Sequence, residues 1–131
     1  MSAGTMRAQE QQLVELKIVE TSDVHGSFYP YDFINRRDVK GSLARVHTYV
    51  EGLRKQYGDN LLLFDNGDIL QGQPSAYYYN YIDTKSRHIA AEMLSFMGYD
   101  AGNMGNHDVE VSRPVFDRWA ADCDFPILGA N

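Results

Sequence analysis

At 131 residues and 14.9 kDa the chain has room for one domain and one sizeable core. Its formal net charge of −6 argues against a nucleic-acid duplex as the main partner, since such affinity rests on clustered Lys and Arg. No apolar run approaches the roughly 20 residues of a membrane-spanning helix, and a lone Cys123 excludes an internal disulfide or a Cys-based zinc site within one chain.

The polar opening, Met1 to Gln12, lacks the apolar centre of a secretory signal. Residues 1–13 therefore read as a flexible lead-in to a domain over residues 14–131. Leu16 to Thr21 reads as the first strand, and Ser27 to Lys40 as a long loop. Ser42 is a candidate N-cap for a helix whose apolar stripe is Leu43, Val46, Val50 and Leu53. Gly58-Asp59-Asn60 stops that helix, and the leucine run from Asn60 to Phe64 suits a strand buried on both faces. A turn at Gly72-Gln73-Pro74 leads into a tyrosine-rich segment, Tyr77 to Tyr81. A second helix is expected from about Lys85 to Met97, with Ile89, Met93, Phe96 and Met97 on one side and Gly98 as its stop. Tyr99 to Asn103 reads as a third strand. Ser112 and Pro114 open a third helix that carries Val115, Phe116 and Trp119 inward, and Phe125 to Leu128 reads as a fourth strand. Strands alternating with helices imply right-handed crossovers and a mostly parallel sheet. The last strand stops abruptly at Gly129-Ala130-Asn131, which reads as a truncation.

Three motifs sit where these strands end, the place where open α/β sheets bind ligands. Asp23-Val24-His25 presents a carboxylate and an imidazole two residues apart, on one side of an extended segment. Gly67-Asp68 offers a carboxylate able to bridge two cations about 4 Å apart, with a glycine that lets backbone approach closely. Gly105-Asn106-His107-Asp108 adds a neutral amide oxygen and a second imidazole. A carboxylate beside His107 would fix its tautomer and raise its pKa, which suits a general acid. An acidic chain can hold a phosphate ester where bound cations reverse the local field.

In this order, each after a strand, the motifs resemble the calcineurin-like metallophosphoesterases. Asp68-Ile69-Leu70-Gln71-Gly72, Gly98-Tyr99-Asp100-Ala101 and Gly105 to Asp108 are similar to the branch of 5′-nucleotidases and 2′,3′-cyclic-nucleotide phosphodiesterases. The resemblance covers Leu16 to Asn131. It implies an α/β fold, the N-terminal part of a four-layer α/β/β/α sandwich, with a mostly parallel first sheet and crossover helices. It implies two divalent metal ions, with manganese, zinc or iron suited to mixed carboxylate, imidazole and amide donors. Asp23, His25 and Asp68 would hold one metal, and Asp68 and Asn106 the second, while a hydroxide between them attacks phosphorus. His107 would fill the catalytic histidine position. Its orienting residue would be Glu110, three positions on where the branch carries Asp, or alternatively Asp108. The implied substrate is a nucleotide or other small phosphate ester, and the implied address of the parent is periplasmic or extracellular.

Later Gly-His and Gly-His-x-His segments complete the site in that family, and none occurs here. The chain therefore reads as an incomplete domain, whose partners would include its missing C-terminal half or a second copy through an exposed sheet face. Two other readings stand beside the enzyme: a silent fragment that binds metal weakly, and a nucleotide-binding α/β domain without metal. His47 and His88 fall within expected helices and read as surface or packing residues. Tyr77, Tyr78, Tyr79 and Tyr81 read as packing rather than base-stacking groups, and Arg36 and Arg37 as part of a solvated mixed-charge loop.

Overall fold

Chain order and spatial order coincide in the main sheet. In a computed structural model, which describes residues 13–129, β1 (Lys17–Thr21) pairs in parallel with β4 (Leu61–Asp65). In the same sense β4 pairs with β5 (Ala101–Asn103), and β5 with β6 (Ile127–Leu128). The crossovers carry α1 (Leu43–Tyr57), α3 (Ile89–Met97) and α5 (Arg113–Asp122). Right-handed crossovers that always step the same way deposit every helix on one face of the sheet. His47 of α1 accordingly lies against Phe96 of α3, with ring centroids 5.3 Å apart. Apart from Leu13, the expected lead-in lies outside the described residues. Among those residues no helix is long and apolar enough to cross a membrane.

This one-sidedness corrects the expectation that β4 is buried on both faces. Leu61, Leu63 and Asp65 are buried beneath the helices, while Leu62 and Phe64 on the opposite face are only half-covered. By register the same face carries Ile18 and Leu128, which are 60% and 54% exposed.

Local chemistry sets the helix boundaries. The Ser42 side chain accepts from the Arg45 amide at 3.3 Å and starts α1, whose Leu43 and Val50 are buried as its stripe requires. The helix expected from Lys85 begins only at Ile89. The Asp83 carboxylate accepts from the Lys85 and Ser86 amides and holds a turn there instead. His88 is not inside the helix but caps it, with Nδ1 accepting from the Ala90 amide at 3.1 Å. The inward face of α3 is also rotated from the expected stripe. Ala90, Ala91, Leu94 and Met97 face the core, and Phe96 is 76% exposed. Small alanines let the helix sit close to its neighbours, so the bulkier Ile89 and Met93 lie at the margin, partly buried.

The long loop contains a short hairpin, β2 (Tyr31–Asp32) with β3 (Arg37–Asp38). Asp32 organises it by accepting from Ile34, Asn35 and Gln73, and its hydrogen bonds, led by those from Asn35, hold its pKa down at about 2. Arg36 and Arg37 are exposed. The tyrosine segment forms α2 (Pro74–Tyr77) and a π-helical turn over Tyr78–Ile82. Tyr79 packs near His88 and Tyr81 donates to the Val111 carbonyl at 3.1 Å, whereas Tyr77 and Tyr78 remain exposed.

Candidate metal centre

Backbone pairing continues past the ends of β1 and β4 and fastens two loops together. The Asp23 amide donates to the Gly67 carbonyl at 3.0 Å, and the His25 amide to the Asp68 carbonyl at 2.8 Å. Asp23, His25 and Asp68 have φ of 54°, 49° and 60°. That left-handed backbone costs a non-glycine residue on the order of 1 kcal/mol each. Strain of this kind persists where surrounding contacts over-determine it, and it gathers at functional sites.

The hydrogen bonds settle which atoms remain free. The Nδ1 of His25 lies 3.1 Å from the Gln71 carbonyl, which can only accept, so Nδ1 carries the hydrogen. Nε2 then keeps its lone pair for a cation, as a ligating histidine with an oriented outer nitrogen does. Asp23 sits beside it, with Oδ1 3.8 Å from that Nε2 and its other oxygen accepting from Ser22. The Oδ1 of Asp68 accepts from the His107 amide at 2.7 Å. One ligand atom each from His25, Asp68 and His107 lie within 4.8 Å of one another. His25 and Asp68 supply imidazole and carboxylate donors of the kind that suits manganese, zinc or iron, and the His107 ring stands within reach of the same point, so the residues present fit a metal.

The third motif is not a loop. It opens α4 (Asn106–Glu110), with Asn106 exposed at its first position. Helical spacing brings Glu110 over His107, and Oε2 meets Nδ1 at 2.7 Å. That bond raises the pKa of His107, with the Glu110 charge adding to it against partial desolvation. The Asp108 carboxylate does not meet the His107 ring. It is fully buried, and its two oxygens accept from four backbone amides, those of Asp68, Ile69, Leu70 and Gly105. The geometry thus joins His25, Asp68 and His107, sets Asp23 beside His25, leaves Asn106 exposed at the start of α4, and turns Asp108 inward.

Because a carboxylate partner stabilises the imidazolium, Glu110→Gln is expected to lower the pKa of His107. Titration of the His107 ring by NMR in the presence of a chelator checks this, and an unchanged value would break the pairing.

Two buried polar groups near the centre escaped sequence reading. Asp65, 2% exposed, is pushed up to about 7 by burial, although Thr21 donates to it at 2.8 Å. A usable signal was present: Asp65 continues the alternation Leu61, Leu63, so it falls on the covered face of β4. The other group is the pair Asn80 and His88, joined at 2.9 Å. Burial, assisted by the Arg118 charge, lowers His88 to about 4. Its Nδ1 accepts from Ala90, so Nε2 donates to Asn80, and Asn80 in turn donates to the Leu70 carbonyl at 2.7 Å.

A parallel sheet with its helices on one face and a donor cluster at the carboxyl ends of β1, β4 and β5 is the arrangement expected of a metallophosphoesterase domain. The family model for calcineurin-like phosphoesterases matches residues 16–129, and the chain belongs to that family. It is 32% identical over 125 residues to the trifunctional nucleotide phosphoesterase protein YfkN of Bacillus subtilis, covering 90% of this chain and 8% of that one. A 2′,3′-cyclic-nucleotide 2′-phosphodiesterase/3′-nucleotidase of Yersinia enterocolitica is 29% identical, with coverage of 98% and 20%. Among solved structures, the calcineurin-like phosphoesterase YfkN of Bacillus subtilis superposes with a TM-score of 0.80 at 32% identity, over 88% of this chain and 36% of the other. A putative 5′-nucleotidase of Staphylococcus aureus gives 0.76 at 30% identity, over 87% and 22%. The chain thus spans less than a quarter of the length of these curated relatives.

Proposed function

We propose that the chain is a metal-dependent phosphoester hydrolase of the nucleotidase type, acting on nucleotide phosphomonoesters or 2′,3′-cyclic nucleotides. The observation that carries this reading is the meeting of His25 and Asp68, on the loops after β1 and β4, with His107 in the first turn of α4 beyond β5. Asp23, His25, Asp68 and Asn106 would hold two divalent ions, manganese, zinc or iron. When bound, such ions polarise the phosphoryl group and provide a water nucleophile at neutral pH. The Nδ1 of His107 is held by Glu110, so Nε2 is its working nitrogen. The Glu110 partner favours the protonated ring, whose Nε2–H would hydrogen-bond a phosphoryl oxygen or protonate the departing alkoxide. By family resemblance, the parent would act in the periplasm or outside the cell.

The test is Mn²⁺ reconstitution of the purified chain, followed by assay on a 2′,3′-cyclic nucleotide and a nucleoside monophosphate. Turnover that Asp68→Ala reduces at least a hundredfold supports the enzyme, and turnover that survives Asp68→Ala refutes it. A second reading is favoured by the uncovered apolar face of the sheet: a chain that takes up metal but needs another segment over that face before it can act. Stoichiometric Mn²⁺ uptake without turnover supports that reading.

A further inference from the structure

We propose that Asp108 is a positioning residue, whose buried carboxylate holds Asp68 and His107 in the arrangement the metal centre requires. The inference rests on the metal-assisted reading above. Oδ2 accepts from the Asp68 and Gly105 amides at 2.7 and 3.0 Å, and Oδ1 from the Ile69 and Leu70 amides at 3.0 and 2.9 Å. An ionised carboxylate has about four lone-pair sites, and all are used. Three successive amides converging on one side chain form an anion-binding concavity, which this chain fills with its own carboxylate.

The arrangement is reciprocal. Asp108 binds the backbone of Asp68, and the Asp68 carboxylate binds the amide of His107, the residue just before Asp108. Neither loop can shift without breaking both contacts. The carbonyl side of the same segment is fixed from the opposite direction, because Asn80 donates to Leu70. Asp68 is thereby held at its left-handed φ of 60°, with Oδ1 committed to the His107 amide. Neutral asparagine cannot replace this carboxylate, since its amino group would point hydrogens at two of the four N–H donors.

Outer-sphere contacts of this kind typically change metal affinity 10- to 100-fold. In the full chain, Asp108→Asn is expected to weaken Mn²⁺ binding at least tenfold, measured by calorimetry well below the variant's unfolding midpoint. Folding in that state is verified by circular dichroism. A folded Asp108→Asn protein with wild-type Mn²⁺ affinity overturns the positioning role and leaves the metal reading intact. A wild-type chain that takes up no Mn²⁺ overturns both. Should Asp108→Asn fail to fold, amide exchange in the metal-free wild type decides. Strong protection of Asp68, Ile69, Leu70 and Gly105 supports the clamp, and rapid exchange of these four overturns it.

Discussion

Gly67→Ala is expected to destabilise the chain by roughly 2–5 kcal/mol, the sum of a left-handed backbone penalty and overpacking, while Gly52→Ala is expected to stabilise it by about 0.5–1 kcal/mol. Gly67 has φ of 98°, and a Cβ there would lie 2.3 Å from the Gly105 nitrogen, 2.7 Å from its Cα and 3.1 Å from the Asn103 carbonyl oxygen. All three obstacles are backbone, so no rotamer change relieves them. The loops after β4 and β5 would have to separate, and that would pull Asp68 away from the His107 amide. Gly52 lies within α1 with nothing inside 4 Å of its would-be Cβ. Alanine there only removes the entropy that glycine loses in a helix. Urea unfolding of both variants, with Mn²⁺ affinity in parallel, checks the contrast. A Gly67→Ala loss below about 1 kcal/mol would mean that the loops do not approach this closely.

Asp65→Asn is expected to become progressively more stabilising as pH rises from 5 to 8. The carboxyl ionises at about 7 in the native state, against an ordinary 3.8, because burial penalises its charge. Between those values the folded chain holds a proton that the unfolded chain has released. Stability is therefore fullest at low pH and is lost as pH rises through the native pKa. Each unit of that interval corresponds to roughly 1.4 kcal/mol, so the variant should gain on the order of 2 kcal/mol over wild type between pH 5 and 8. Asparagine cannot ionise and keeps an oxygen for Thr21, which donates to Asp65 at 2.8 Å. It loses the long 3.3 Å bond from the Gly67 amide, a pH-independent cost that leaves the change between the two pH values as the quantity to read. Unfolding curves at the two pH values, both in chelator, decide the matter. If wild type and variant change in parallel, Asp65 is not the titrating group.

Much of this was legible in sequence because it is periodic or local. Leu43, Val46, Val50 and Leu53 recur at helical spacing and form the inward stripe of α1, and Ser42 caps it. The order of strands and helices gave the parallel sheet, and the motif positions gave its carboxyl edge. What was hidden depends on partners distant in sequence. Nothing in Gly-Asn-His-Asp announces that Asp108 faces amides about forty positions earlier, nor that the motif itself winds into a helix. His88 looked like an ordinary helical residue, because a histidine that caps with Nδ1 and donates through Nε2 has no distinctive spacing. An exposed sheet face was expected, but β4 did not show which side it would be, since Leu61 to Leu63 looks equally apolar in both directions. Only the handedness of three successive crossovers separates the covered side from the bare one.

The bonds from Asp23 to Gly67 and from His25 to Asp68 have a practical corollary for anyone wishing to transplant this centre. Neither loop brings its own scaffold, since each borrows its shape from the other. A graft of the first alone would carry the imidazole into a new host without the carbonyls that fix its backbone. The portable module is the two loops with the ends of both strands, moved as one piece.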